Sequence, residues 1–136
     1  VQAALGMRGA SEETLFLERY LEKPAEVAIA ERTGLVLTRD SIAEAGNLAS
    51  VRMAALRDLM FALSCNLRAQ GFLYILFTGT DSLKRYLEAL GLKPVVYANA
   101  DPARLDDKGA SWGRYYDTQP RVMGGTTDEF YFGLLK

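Results

Sequence analysis

The 136-residue chain contains no histidine and only one cysteine, Cys65. The absence of histidine excludes a Ser-His-Asp or Cys-His nucleophile pair, a His-Glu-x-x-His zinc site and a zinc finger. A single cysteine excludes an intrachain disulfide and, without a histidine partner, argues against a metal site. Any acid–base chemistry must therefore fall to Asp, Glu, Tyr, Lys or Cys side chains, or to a water held by the backbone.

The chain also lacks an excess of either charge and a long apolar run. Its 16 basic and 17 acidic residues give a net charge of −1, so no overall basic field attracts nucleic acid or an anionic membrane. No run is long enough for a transmembrane helix, and the N-terminus lacks the pattern of a signal peptide. We therefore expect a cytoplasmic protein that neither binds nucleic acid nor inserts stably into a membrane.

What is present is an ordinary globular composition, with 49% apolar and 24% charged residues. The length predicts a single domain over residues 1–136 with a sizeable core. Because the chain begins with Val1 rather than Met, three origins stay open: a processed form, a fragment lacking an N-terminal segment, and an incomplete sequence.

Hydrophobic spacing predicts alternating helices and strands. Helices are predicted over residues 11–23, 53–70 and 82–90, closed by Pro24, Gly71 and Gly91. Strands are predicted over 25–31, 34–39, 42–50, 72–77, 94–98 and 121–123, the first two as a hairpin about Thr33-Gly34. Residues 101–111 read as a loop, and 130–135 as a last strand or a packed tail. The alternation from 42 to 98 implies right-handed crossovers, at least two parallel strand pairs and a mixed, three-layer α/β domain.

The most informative stretch is IAEAGNLAS, residues 42–50, where Gly46-Asn47 interrupts an apolar strand just before a long helix. A glycine inside a strand marks a bulge or the close approach of another group. The following helix would aim its free N–H groups at the gap, which suits a phosphate-bearing acyl carrier. A strand–bulge–helix unit also occurs in proteins with no such ligand.

Five segments, in this order and spacing, carry a family resemblance. They are LFLERYLEKP at 15–24 with Glu26, IAEAGNLAS at 42–50, FTGT at 77–80, LGL-P at 90–94 and WGRYY-P-V at 112–122. Together they resemble the thermostable hemolysin family, which in turn is similar to the GNAT acyltransferase superfamily and, more distantly, to acyl-homoserine-lactone synthases. The resemblance implies a three-layer GNAT-like α/β fold with a mixed central sheet, bulged and splayed parallel strands, and helices on both faces.

The same resemblance implies an N-acyltransferase that uses a phosphopantetheine thioester, either acyl-CoA or acyl carrier protein, and a small-molecule amine or amino acid acceptor. The pantetheine arm would lie between strands 42–50 and 72–77. The GNAT phosphate loop carries glycine where this chain has alanine, and the looser loop is compatible with acyl carrier protein or another donor. The expected cofactor-binding residues are Leu48, Ala49, Ser50, Arg52, Ala54, Ala55, Thr78 and Thr80.

Three residues are the catalytic candidates. Glu44 is a candidate general base for the amine, directly or through water, and Asn47 a candidate to fix a substrate carbonyl. Tyr86 is a candidate to protonate the leaving thiolate. The position that matches the GNAT tyrosine is Leu87, and one residue rotates a side chain about 100° around a helix.

Each candidate has a structural alternative. Glu44 could pair with an arginine such as Arg39, Asn47 could satisfy backbone groups at the bulge, and Arg52 could be solvated. Cys65 is expected as a core filler, and the aromatics Trp112, Tyr115 and Tyr116 as packing rather than an acyl pocket. Two other functions also stay open, a membrane-active hemolysin-like protein and a non-catalytic binding domain, and so does a homodimer.

Overall fold

The computed structural model describes residues 7–9, 15–45, 53–100 and 120–135. Within them it has five strands, four α-helices and two short 3-10 helices, Phe16–Tyr20 and Arg39–Ser41. In chain order the strands and α-helices are β1 Met7–Gly9, α1 Ala25–Thr33, β2 Ile42–Ala45, α2 Met53–Ala69, β3 Tyr74–Gly79, α3 Asp81–Ala89, β4 Val95–Asn99, β5 Arg121–Thr126 and α4 Thr127–Leu135.

The strands form one mixed sheet in the order β1-β2-β3-β5-β4. The β2–β3 pair is parallel, with Ile42 opposite Tyr74 and Glu44 opposite Leu76. The other neighbouring pairs are antiparallel. The described strands therefore contain one parallel pair, and the prediction of at least two is wrong. Strands β3 and β4 run in the same direction, but they are not hydrogen-bonded to each other. Strand β5 lies between them and pairs antiparallel with each.

Side chains alternate between the two faces of the sheet, as the pleat requires. One face packs against α2, α3 and α4, and its strand residues are Ala43, Ala45, Ile75, Phe77 and Met123. The other packs against α1 and the 3-10 helix Phe16–Tyr20, and its strand residues are Ile42, Tyr74, Leu76 and Val122. This confirms the three-layer α/β domain with a mixed sheet and helices on both faces, an architecture consistent with a GNAT-like fold. The predicted bulge at residues 46–50 lies outside the described residues.

Helices α2 and α3 confirm the predictions from apolar spacing. The inward face of α2 carries Leu56, Met60, Leu63 and Leu67, all buried. Gly71 and Gly91 follow the two helices with φ of 91° and 92°, a left-handed conformation that glycine adopts without a Cβ clash. Thr80 caps α3, because its hydroxyl oxygen accepts from the Leu83 N–H at 3.1 Å. The predicted strand at 94–98 also forms, as β4.

The predicted hairpin at residues 25–39 is wrong. Residues 25–33 form helix α1, which buries Ala25 and Ile29 one turn apart. Gly34, read as a hairpin turn, is the left-handed C-cap of this helix with φ of 79°. The helix-favouring residues of AEVAIAERT outweigh an apolar alternation only a few residues long. The predicted helix at residues 11–23 is also shorter in the structure. Of its described residues, 15–23, those from Phe16 to Tyr20 form a 3-10 helix.

The C-terminal segment is a helix, so its prediction as a strand or tail is wrong. Helix α4 buries Phe130 and Leu134, one turn apart, against the core. It is anchored where it begins, because the Thr127 hydroxyl donates to the Phe72 carbonyl at 2.9 Å. Strand β5 runs through Gly124-Gly125 rather than ending there. Strand β3 begins two residues later than predicted, and residues 101–119 lie outside the described residues.

Candidate active site

The candidate site is the sheet edge at the carboxyl ends of β2 and β3. Because Ile42 lies opposite Tyr74, the two parallel strands begin at one edge and end at the other. Helix α2 connects them and therefore begins at the carboxyl edge. Helix α3 begins directly after β3, with Thr80 as its N-cap. Two helix N-termini thus lie at the edge where ligands bind in open α/β sheets.

The expected cofactor-binding residues are only partly described. Thr78 is half-buried near the end of β3. The hydroxyl oxygen of Thr80 accepts the hydrogen bond that caps α3. Ala54 and Ala55 lie in the first turn of α2, with Ala55 half-buried. The remaining predicted residues, Asn47, Leu48, Ala49, Ser50 and Arg52, lie outside the part of the chain that the structure describes.

Glu44 is a buried carboxylate on β2, with 9% of its surface exposed. Its Oε2 accepts a hydrogen bond of 3.0 Å from the Leu17 N–H. This contact ties the 3-10 helix Phe16–Tyr20 to the sheet, so Glu44 faces the α1 side. Burial together with a fixed backbone donor holds the carboxylate in one orientation, a condition for a positioned acid or base.

Tyr86 and Leu87 occupy neighbouring positions on α3. Leu87 is fully buried in the core beside α2 and α4, and Tyr86 packs half-buried against the same core. The structure therefore does not bring Tyr86 and Glu44 together, because they lie on opposite faces of the sheet. Cys65 is half-buried on α2. Its side chain lines a shallow surface cavity with Arg68 and Tyr131 rather than the core.

An ionic cluster around Arg39 joins three elements: the two 3-10 helices and α1. The Arg39 guanidinium donates to both oxygens of Glu18, at 2.9 and 2.8 Å, and to Glu26 at 2.7 Å. The Glu18 carboxylate also accepts from the N–H groups of Leu15 and Ala25, each at 2.8 Å. Glu18 therefore ties the start of the 3-10 helix to the start of α1, and Arg39 ties Glu18 and Glu26 to the residues preceding β2.

The cluster sets the charge states of its members. Burial by itself raises the pKa of Glu18, but the hydrogen bond from Arg39, the two backbone donors and the Arg39 charge outweigh it and hold that pKa below its ordinary value. The hydrogen bond from Arg39 to Glu18, with that to Glu26, raises the pKa of Arg39 further. Sequence reasoning gave Glu18 and Glu26 no role of their own, although both lie in the segment that carries the family resemblance.

The described residues hold neither a metal-ligating group nor a membrane-spanning helix. Among residues 7–9, 15–45, 53–100 and 120–135, no group of three His, Cys, Asp or Glu side chains is placed to hold a metal ion. In the same ranges, every helix is too short or too polar to traverse a lipid bilayer.

Fold and site together define the class, a three-layer α/β protein whose single described parallel strand pair ends beside two helix N-termini. The profile of the family described as thermostable hemolysin matches residues 1–131. The chain therefore belongs to the thermostable hemolysin family, as the five segments predicted. No curated protein and no solved structure matches the chain.

Proposed function

We propose that this chain is a GNAT-like N-acyltransferase that moves an acyl group from a phosphopantetheine thioester to an amine or amino acid. One observation carries the proposal: the parallel β2–β3 pair is connected by α2 and followed by α3, so both helices begin at the carboxyl edge of that pair. Helix N-termini attract phosphate through free N–H groups and the helix dipole. This arrangement supports a donor whose phosphates lie against α2 and whose thioester arm lies along the strands.

In this proposal the donor is acyl-CoA or acyl carrier protein. The backbone from Leu48 to Ser50 and the first turn of α2, with Ala54 and Ala55, lie against the phosphates or the pantetheine arm. Arg52 pairs with a phosphate oxygen. Thr78 and Thr80 line the end of β3 beside the thioester arm, where the Thr80 hydroxyl keeps a hydrogen to donate.

The proposed chemistry is attack of an amine on the thioester carbonyl. The amine nitrogen forms a C–N bond, its proton passes to Glu44 directly or through a water, and the C–S bond breaks to release a thiolate that is then protonated. Asn47 holds the carbonyl oxygen as negative charge develops on it. Tyr86 packs on the opposite face from Glu44, which favours water over Tyr86 as the donor to the thiolate.

Donor binding is the first test. We expect acetyl-CoA, a long-chain acyl-CoA or an acyl carrier protein to stabilise the fold by about 2.7 kcal/mol at a hundredfold excess over Kd, and the melting temperature to rise with the logarithm of donor concentration above Kd. Adenosine 3′,5′-bisphosphate, which lacks the pantetheine arm, should stabilise less. Arg52→Ala should weaken binding, while Arg85→Ala, on the outer surface of α3, should not. If no thioester shifts the melting temperature, the proposal fails, and dye release from liposomes would then test the membrane-active alternative.

Glu44 provides the second test. Glu44→Gln keeps an oxygen that can accept the Leu17 N–H, so the fold should survive while the proton acceptor is lost. We expect acyl transfer to an amine to fall about a hundredfold, with donor binding unchanged. Glu129→Gln, an exposed carboxylate at the start of α4, is the matched control and should keep full activity. An unchanged rate in Glu44→Gln would assign Glu44 to structure alone.

A further inference from the structure

Strand β4 has a bulge at Tyr97. Val96 lies opposite Met123 and Ala98 opposite Val122, so Tyr97 is an extra residue in the ladder. A bulge re-aims the side chain of the extra residue. Here the Tyr97 hydroxyl forms a hydrogen bond with the hydroxyl of Tyr74 on β3. Burial raises the pKa of both hydroxyls, so both stay protonated near neutral pH.

Gly124 lets the two tyrosines meet across β5. It lies between them in the sheet, opposite Leu76 on β3 and Val95 on β4. A Cβ at this position would lie 2.7 Å from Cε1 of Tyr74, closer than carbon atoms can approach. The missing side chain therefore gives the Tyr74 ring its path towards Tyr97.

The re-aimed Tyr97 forms one wall of a cavity of about 450 Å³ between α1 and β4. This volume lies in the range of small-molecule sites. The apolar part of the lining is made by Leu21, Ala28 and Ala98, of which the two alanines leave space by being small. The polar part of the lining includes Lys23, Glu31, Tyr97 and Asn99.

The charged lining of the cavity consists of Glu22 and an ion pair between Lys23 and Glu31. Lys23 Nζ lies 2.6 Å from Glu31 Oε2, and each side chain is 53% exposed. The hydrogen bond to Glu31 raises the pKa of Lys23, with smaller contributions from the charges of Glu31 and Glu22. A ligand that carries one positive and one negative group can exchange partners with such a pair without leaving any charge unmatched. A ligand with a single charge that replaces one member of this pair leaves the other member without its partner.

The cavity also lies at the edge already assigned to the donor. Asn99, the last residue of β4, lies opposite Arg121, which lies opposite Gly79 at the end of β3. The two intervening spacings between adjacent strands amount to roughly 10 Å. A ligand in the cavity is therefore within reach of a thioester arm lying beside β3.

We infer that this cavity is the acceptor subsite and that it takes a zwitterionic α-amino acid with an apolar side chain. The ligand carboxylate binds Lys23, its ammonium group binds Glu31, and its side chain lies against Leu21, Ala28 and Ala98. The role as acceptor subsite rests on the proposed acyltransferase function, whereas the binding of the amino acid does not. For transfer, the ammonium group first loses one proton to solvent, and the resulting amine then attacks the thioester carbonyl. As in the chemistry given above, the remaining proton passes to Glu44 directly or through a water, and the thiolate leaves as the C–S bond breaks.

The test is an amide NMR titration of the full chain without any acyl donor. Three probes share the carbon skeleton of leucine and differ in their charged groups: L-leucine is zwitterionic, L-leucinamide is cationic because an amide replaces the carboxylate, and 4-methylpentanoate is anionic because it lacks the amino group. We expect L-leucine to give saturable shifts at Ala28, Ala98 and Asn99, and the two singly charged probes to bind about fivefold more weakly. Equal binding of all three probes, or no saturable shift at these amides with L-leucine, would overturn the subsite.

Variants give an independent readout. Lys23→Met and Glu31→Gln should each weaken L-leucine binding about fivefold, and Ala28→Leu should also weaken it by occupying the space in which the ligand side chain lies. The matched controls are Lys84→Met and Glu88→Gln, which break an ion pair on α3 outside the cavity, and both should bind L-leucine normally. Normal binding by Lys23→Met and Glu31→Gln would overturn the assignment.

The two proposals fail in different ways. If L-leucine binds at the cavity but no thioester binds or donates an acyl group, the subsite stands as an amino acid site and the acyltransferase fails. If acyl transfer occurs and Glu31→Gln changes neither KM nor kcat for L-leucine, the acyltransferase stands and the subsite is wrong.

Discussion

Gly124→Ala is expected to lower the free energy of unfolding by about 3 kcal/mol, since it places a methyl group in space that is already filled. The new Cβ would lie 2.7 Å from Tyr74 Cε1, 2.8 Å from Leu76 Cδ2 and 2.8 Å from the carbonyl oxygen of Ile75. The side chains could rotate, but the Ile75 oxygen belongs to the backbone of β3, which is hydrogen-bonded to β2 and β5. Removing the overlap with the Ile75 oxygen therefore requires a shift of the β3 backbone.

Urea unfolding measures this loss, and Gly34→Ala is the control. Gly34 has φ of 79°, and a Cβ added there would meet no atom within 4 Å. Alanine at this position therefore costs about 1 kcal/mol of backbone strain without a collision. Gly124→Ala should lose clearly more stability at an unchanged m-value. Equal losses in the two variants would show that the close contacts at Gly124 relax freely.

Glu18→Ala is expected to cost about 3 kcal/mol, because it removes the acceptor of four hydrogen bonds at once. The Glu18 side chain is 9% exposed, and its loss leaves the Leu15 and Ala25 N–H groups and the Arg39 guanidinium without that partner. Removing one member of a buried charged network exposes the desolvation penalty of the others. Glu88→Ala, which removes an exposed carboxylate, should change stability by less than about 0.5 kcal/mol.

The contribution of Glu18 to the free energy of unfolding also depends on pH, and the lowered pKa of its carboxyl group sets the sign of that dependence. Its folded pKa lies below the ordinary value of 4.5, so the folded state binds this proton less readily than the unfolded chain. The ionised form therefore stabilises the fold above pH 4.5, and that stabilisation disappears as the pH falls through the lowered pKa. Urea unfolding across this range should show wild type and Glu18→Ala converging towards acid pH. A difference that stays constant with pH would exclude ionisation of Glu18 as the cause.

Elements with strong local signals could be predicted from the sequence. Helix α2 repeats its buried residues every three or four positions over about three turns, and left-handed glycines follow α2 and α3. The segments α1 and α4 were misjudged, because each is nine residues long and its apolar residues fit either a strand or a helix. Packing resolved the ambiguity, since a helix places Ala25 beside Ile29, and Phe130 beside Leu134, on one buried face.

The residues of the candidate site also fall into two groups, those that the sequence can suggest and those that only the structure shows. Glu44 can be chosen as a candidate from the sequence because it lies on the strand before the long helix; the structure shows that it is buried, and its catalytic role stays a prediction. The Glu18–Arg39 pair joins residues 21 positions apart, and the Tyr74–Tyr97 pair joins residues 23 positions apart. Neither pair follows from spacing along the chain, because each depends on how separate elements pack.

The sequence by itself determined the absence of histidine and of an intrachain disulfide, the long amphipathic helix and the membership of a family, because composition, helical period and segment order are properties of the chain alone. Only the tertiary structure decided that β5 enters between β3 and β4, that Gly124 admits the Tyr74 ring, and that Lys23 and Glu31 line one cavity with Tyr97. These features depend on contacts between segments that are far apart in the chain. Such contacts are set by the packing of the whole sheet against its two helical layers, which spacing along the chain does not specify.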